Sequence, residues 1–193
     1  MKQKVVTMNV SLPASLRGAL EKKLERHSYS TASEYVRELI RKDLQREAIA
    51  QVDELLLEGL HSGPAVPMTD HDWQDLRTLA GRRPSSPHGT KKTGRRPAAQ
   101  RDLAAAVRYL RTEGGATVSH RFLDEVEATF TRLRSFPTLG TSWPTTRREL
   151  VSLRRRLIPH FPYSVFYLSS ADAIEIVRVL HNSRDIPTVL EDL

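Results

Sequence analysis

The stretch TMNVSLPASLRGALEKKLERHSYSTASEYVREL, residues 7–39, holds a strand signal, a helix and a helix start in close succession. Thr7 to Leu12 alternates strictly. A period of two puts Met8, Val10 and Leu12 on one face and Thr7, Asn9 and Ser11 on the other. Pro13 suits the first turn of a helix, and Leu16, Leu20 and Leu24 come after it at helical spacing. Thr31-Ala32-Ser33-Glu34 has the form of a capping box. It opens a second helix with Tyr35, Val36, Leu39, Ile40 and Leu44 on one side. A lone strand leaves its edges unpaired, and no second strand is predicted nearby. Pairing with the same strand of another copy gives a two-stranded antiparallel ribbon on a symmetric dimer. One ribbon face packs on the helices. The other offers Thr7, Asn9 and Ser11 to base edges in a major groove. The start of the second helix, with Thr31 and Ser33, is placed to hold a phosphate.

Outward from this stretch, residues 47–60 continue helically with Ile49, Val52, Leu55, Leu56 and Leu60 apolar, and Gly63-Pro64 ends the run. Val66, Met68, Trp73, Leu76 and Leu79 come next, the last three at helical spacing. Asp70-His71-Asp72 lacks further ligands at metal spacing and reads as a helix start, so no metal is expected. Residues 81–100, GRRPSSPHGTKKTGRRPAAQ, carry six basic side chains, no acidic one and no large apolar one. That composition predicts a flexible basic linker.

The C-terminal part repeats the apolar periodicities in another order. Leu103, Val107 and Leu110 mark one helix, Gly114-Gly115 breaks it, and Val118, Phe122, Val126, Phe130 and Leu133 mark a second. Three strand signals come after them, within Leu150–Ile158, Tyr163–Leu168 and Ile174–Leu180, with Ser169-Ser170-Ala171-Asp172 as a turn. The fold class is α+β: a helical hairpin packed on an antiparallel sheet.

The chain has 193 residues, 39% of them apolar, a mean hydropathy of −0.44 and no cysteine. Disulfides, thiolate metal sites and cysteine nucleophiles are excluded. No apolar run approaches the roughly 20 residues of a membrane span. The polar Thr7, Asn9 and Ser11 come soon after the basic start and interrupt any apolar run there. This reads against a signal peptide, so a cytoplasmic protein is expected. The net charge of +7 is concentrated: −1 over residues 1–80, +6 over 81–100 and +2 over 101–193.

Strand, helix and then YSTASEYVR (29–37) resemble the ribbon-helix-helix antitoxins of the ParD family. The resemblance implies that Thr7, Asn9 and Ser11 read operator DNA. It also implies that a tail, LLLEGLHSGPAVPMTDHDW (55–73), wraps a toxin through Leu55, Leu56, Leu60, Val66, Met68, Trp73 and Leu76. A glycine often ends the first helix of this family, and His27 stands at the matching place. PAAQRDL (97–103), HRFLDEVEATFTRLRSFPTLG (120–140) and IEIVRVLHNSRDI (174–186) resemble the ParE/RelE toxin superfamily, the ParE branch most. Its members usually open with an apolar strand just before the residues matching Pro97. Lys91–Arg96 has no such character, so the sheet is expected to lack that edge strand.

The resulting division is 1–46 for DNA binding and dimerisation, 47–80 for the toxin-wrapping tail, 81–100 for the linker and 101–193 for the toxin domain. The ParE resemblance implies an inhibitor of DNA gyrase rather than a conventional enzyme. The RelE resemblance implies a metal-independent ribonuclease acting on messenger RNA at the ribosome. Its candidate residues are Arg154, Arg156 and Arg184 for the phosphate, His160 and His181 for proton transfer, and Tyr163 beside them. A third reading is an inactive toxin fused to a transcriptional repressor. Operator DNA and a homodimer or higher oligomer through the ribbon are the other partners implied. No cofactor and no membrane are expected.

Overall fold

The computed structural model describes residues 6–27, 29–81, 93–170 and 173–190. They fall into two compact units, divided between Leu44 and Gln45. Among the described residues no helix is long and apolar enough to cross a membrane.

In the first unit, helix α1 spans Ala14–His27 and helix α2 begins at Ala32, running on to His61. Helix α1 closes at His27 without the family's glycine. The Thr31 hydroxyl accepts from the Glu34 amide at 3.1 Å, which caps α2. The other half of the box is displaced by one residue, because the Glu34 carboxylate takes the Ser30 amide and hydroxyl at 3.0 and 2.7 Å. The Ser30 hydroxyl above all, then its amide, holds the Glu34 carboxyl below its usual value. Tyr29 and Tyr35 meet edge to face, 5.2 Å apart. Residues 6–13 adopt no regular element within one chain. No described side chain of this unit is buried. Met8 (69%), Val10 (61%), Leu16 (56%) and Leu44 (51%) are largely exposed.

The second unit is built on a six-stranded sheet in the order β1-β2-β6-β5-β4-β3. Its strands are β1 (Val66–Pro67), β2 (Thr93–Arg95), β3 (Thr141–Ser142), β4 (Arg154–Leu157), β5 (Tyr163–Ser169) and β6 (Ile174–His181). Only β2 and β6 pair in parallel. One face is covered by the long helix α4 (Pro97–Ser135) together with α3 (Asp70–Leu79). Leu103, Val107, Phe122 and Val126 of α4 pack there against Tyr163, Val165, Tyr167 and Ile176. The opposite face is covered by the later part of α2, where Ala48, Val52 and Leu56 meet Trp143, Leu153, Phe166 and Val177.

Helix α4 is two helices in one. Gly115 has φ 77° and ψ 177°, outside the helical region. The Ser119 hydroxyl donates to the Val107 carbonyl at 3.2 Å across a separation of twelve residues. A straight helix would set such residues about 18 Å apart, so the chain reverses and the predicted hairpin forms. Between β5 and β6 the register shifts at Phe166/Tyr167: Phe166 faces Arg178 and Tyr167 faces Ile176, which leaves Val177 as the extra residue of a bulge. The bulge explains why alternation along β6 changes phase, with Ile174, Ile176 and Val179 on the α4 side and Val177 and Leu180 on the α2 side.

Three sequence expectations are corrected. The expected edge-strand gap is absent, because Thr93–Arg95 forms β2, paired with both β6 and β1. It escaped notice because it is held by main-chain pairing, with Gly94 at its centre and no apolar alternation. For the same reason residues 93–100 of the expected linker are ordered into β2 and the first turn of α4, while 82–92 lie outside the described residues. The strand expected within Leu150–Ile158 is confined to β4, because Arg148–Leu150 coils into a short 3₁₀ turn. Part of the expected turn, Ala171-Asp172, also lies outside the described residues, though Ser170 and Ala173 close it with an amide-to-carbonyl bond of 3.0 Å.

An added Cβ at Gly115 meets nothing within 4 Å, so Gly115→Ala tests backbone conformation alone. We expect it to destabilise the second unit by about 1–3 kcal/mol, the range for a strained φ/ψ region, read from the urea midpoint. An unchanged midpoint would show that the hairpin does not need the left-handed residue.

Candidate toxin–antitoxin interface and toxin site

Within the second unit, α2, β1 and α3 form a continuous cover on the domain that begins at β2. Each contact has a distinct chemistry. Leu56 is fully buried on the α2 side, with Leu55 and Leu60 half-buried around it. Burying a leucine contributes about 1.5–3 kcal/mol. Asp53, 2% exposed, accepts from the Trp143 indole and the Thr145 hydroxyl, both at 2.7 Å. Gly59 lets the helix touch the sheet: a Cβ there would lie 2.5 Å from Arg178 Cδ and 2.8 Å from the Val177 carbonyl oxygen.

Arg178 is the hub. It is 8% exposed and sits where β2 has ended and β6 continues. Its guanidinium grips Asp102 of α4 through two bonds of 2.7 and 3.1 Å and donates to the Leu55 carbonyl of α2 at 2.7 Å. Asp102 also accepts from the Val179 amide at 3.0 Å. Burial drives the Asp102 carboxyl above its usual value, against these three donors. For Arg178, burial is outweighed by Asp102 and Glu58, which raise it.

Past Gly63-Pro64 the cover changes from helix to strand. Val66 and Pro67 face Arg95 and Gly94, and the Met68 amide donates to the Thr93 carbonyl at 2.8 Å. Arg95 bridges to Asp72 at 2.5 Å and to the Pro67 carbonyl at 3.2 Å. Arg96 holds Glu175 and the carbonyls of Leu60 and Gly63. Thr69 caps α3 in a reciprocal box with Asp72. Burial acts to raise the Asp72 carboxyl, but the Thr69 hydroxyl and amide together with Arg95 keep it below its usual value. Trp73 and Phe130 ring centres are 5.9 Å apart, and Leu76 is buried against α4. Met68 packs beside them, whereas the Val66 side chain is 53% exposed and engages through its main chain.

The residues proposed for nuclease chemistry divide into separate groups. Tyr163 and His181 are opposed across β5 and β6, ring centres 4.8 Å apart. Burial, then the Arg184 charge, holds the imidazole below its usual value, and its Nδ1 accepts the amides of Ser183 and Arg184 at 3.2 Å. Burial raises the Tyr163 phenol, whose hydroxyl has no hydrogen-bond partner among the described residues. Arg184 is paired with Asp185 at 2.9 Å. Arg154, on β4, donates to the carbonyls of Thr138 and Gly140, and so braces the β3–β4 edge. Arg156 shares its face of β4, while Arg155 turns inward to the Ser164 hydroxyl at 3.0 Å. His160 is exposed in the β4–β5 turn at φ 64°. Among the DNA-contacting candidates, Thr7, Asn9, Ser11, Thr31 and Ser33 are all exposed.

Residues 95–186 match the family model of the ParE toxin of type II toxin–antitoxin systems (parDE). Towards the N-terminus, antitoxin ParD4 of Caulobacter vibrioides is 40% identical over 85 residues, covering 44% of this chain and 84% of that protein. The chain belongs to the ParD antitoxin family and carries a ParE toxin domain in the same polypeptide. A solved chain titled "Chromosomal ParDE TA system from P. aeruginosa" is 16% identical, with a TM-score of 0.39, over 45% of this chain and 90% of that one.

The ParE domain thus begins within β2, and the ParD part supplies the layer over it. Sequence reasoning missed Asp53, Gly59, Arg95, Arg96, Asp102 and Arg178 in this contact. A polar residue within the apolar run Ile49–Leu60 and a glycine in the same helix were the available signals.

A glycine-to-alanine change in an exposed helix interior usually adds about 1 kcal/mol of stability. Gly59→Ala is expected to do the reverse, lowering stability by about 1–3 kcal/mol through overpacking on Arg178 and the Val177 carbonyl. Asp53→Ala strands the buried Trp143 indole and the half-buried Thr145 hydroxyl and is expected to cost about 2–3 kcal/mol. Urea unfolding followed by tryptophan fluorescence checks both. A stabilising Gly59→Ala would mean that α2 does not lie on the sheet as described.

Proposed function

We propose that this chain is a self-masked toxin–antitoxin protein whose ParD part binds operator DNA and whose ParE domain inhibits DNA gyrase once uncovered. The observation that carries the reading is the cover of α2, β1 and α3 over both a face and an edge of the ParE domain. In this division residues 1–46 dimerise and bind DNA, 47–80 neutralise, and the toxin domain extends from β2 rather than from 101. Joining both halves keeps the tail at high effective concentration beside its surface. Gyrase is preferred to messenger RNA because Arg154, Arg184 and the His181 Nδ1 are already engaged in internal bonds.

Support for the DNA-binding role comes from the first unit. None of its described side chains is buried, and its exposed Met8, Val10, Leu16 and Leu44 need cover. A ribbon formed by residues 7–12 of two copies would supply it, leaving Thr7, Asn9 and Ser11 outward with Thr31 and Ser33 toward the phosphates.

Expressing residues 93–193 in growing bacteria tests the toxin assignment. Growth arrest with gyrase-dependent DNA breakage is expected, relieved by residues 1–80 supplied separately. Cleaved transcripts with normal gyrase would replace gyrase by messenger RNA, and no toxicity at all would leave a repressor. Changing Thr7, Asn9 and Ser11 together to alanine should lower sequence discrimination on operator DNA by roughly 10-fold or more, while general affinity falls less. An unchanged ratio of specific to non-specific binding would remove the ribbon assignment.

A further inference from the structure

We propose that the β2 edge of the ParE domain is its target-docking site, and that the ligand class it takes is an extended polypeptide segment carrying a carboxylate, which β1 and Asp72 imitate. The inference rests on the proposed masking of a protein-directed toxin and assigns the surface that does the work.

The β2 edge is an open ladder without the tail. Its partner strand is two residues long, strengthened by the Met68 amide on the Thr93 carbonyl. Main-chain pairing of this kind reads extended backbone rather than one sequence. An uncovered edge strand recruits such backbone. Arg95 then sets a side-chain requirement. One guanidinium takes the Pro67 carbonyl and, five residues on, the Asp72 carboxylate. At the start of β2 the Thr93 hydroxyl is buried without a hydrogen-bond partner among the described residues. A ligand able to bond it has an advantage over the tail at that point.

The charges argue for protein and against nucleic acid. Of the arginines along this edge, Arg96 and Arg178 are already neutralised by the domain's own carboxylates, Glu175 and Asp102, and Arg95 alone takes its carboxylate from the tail. What Arg96 and Arg178 give the tail is chiefly donors to carbonyls, those of Leu60, Gly63 and Leu55, with one longer contact from Arg178 to the Glu58 carboxylate at 3.4 Å. Removing α3 would also strip Arg77 from Asp124 and Glu127 and leave two bare carboxylates nearby. A polyanion would meet repulsion there, whereas a peptide brings the carbonyls these donors already hold.

The absence of native cysteine makes a reversible lock possible in the full chain. A Cβ at Gly94 would lie 3.2 Å from the Ala65 Cβ, close to disulfide spacing. The variant Ala65→Cys/Gly94→Cys with Met68→Pro and Asp72→Lys should be closed when oxidised and open when reduced. Its probe is a fluorescent peptide of residues 62–74. We expect the peptide to bind the reduced form at least 10-fold more tightly than the oxidised form. A peptide with lysine in place of its aspartate at position 72 should bind at least 10-fold more weakly. The reduced form should inhibit gyrase supercoiling, and saturating peptide should relieve that inhibition. Failure of the peptide to bind the reduced form, or equal binding by the lysine peptide, overturns the edge as a peptide site. Preference for a single-stranded oligonucleotide over the peptide overturns its ligand class. Inhibition that saturating peptide leaves untouched overturns the docking proposal while the masking reading stands. Peptide binding without any gyrase inhibition removes the gyrase reading and the docking proposal together.

Discussion

The contact on which the ParE domain's arrangement turns is the buried ion pair of Arg178 with Asp102. Strand β6 continues past the end of β2, so its edge there is exposed to whatever lies beside it. Asp102 closes that edge by accepting the Val179 amide and the Arg178 guanidinium together. Removing either member would strand a charge in a site that already disfavours it, a cost of several kcal/mol in buried pairs generally. The donor left over reaches the Leu55 carbonyl of α2. One side chain therefore ties the sheet, its own helical layer and the ParD tail. The bulge at Val177 places it, because two successive residues of β6 then lean toward one side.

This geometry explains which elements were legible in the sequence. The helical hairpin and strands β5 and β6 carry dense apolar periodicity, since each buries whole faces. The cap at Thr31 was legible because caps are local chemistry, although Glu34 returns its bond to Ser30 rather than to Thr31. Strands β1 and β2 were not. They bury little apolar surface of their own, include Pro67 and Gly94, and exist because their main chains find each other and β6. Arg95 and Arg96 read as linker charge in GTKKTGRRPAAQ, yet they are 4% exposed and bound to tail carbonyls, respectively. Basic composition alone does not distinguish a solvated arginine from one with a fixed acceptor.

The site residues divide the same way. Leu56 and Leu76 lie buried where apolar spacing placed them, while Val66 takes part through its backbone. Asp53 and Gly59 look like defects in an amphipathic helix, and each marks a close approach to the sheet layer. The candidate nuclease residues were grouped by type, whereas the fold distributes them between a strand edge, a turn and the end of β6. The first unit differs again. Its two helices were legible, whereas the strand expected over residues 7–12 does not form within one chain, and its apolar side chains stay largely exposed.

The order of elements along the polypeptide has a temporal meaning. Helix α2, β1 and α3 all precede β2, the first strand of the ParE domain. During synthesis the chain emerges N-terminus first, at about 5–20 residues per second. The shield has therefore left the ribosome several seconds before β6, the strand that carries Arg178, is translated. On the proposed self-masking, the cover is thus available before the domain it covers is complete, whatever the output of any other gene.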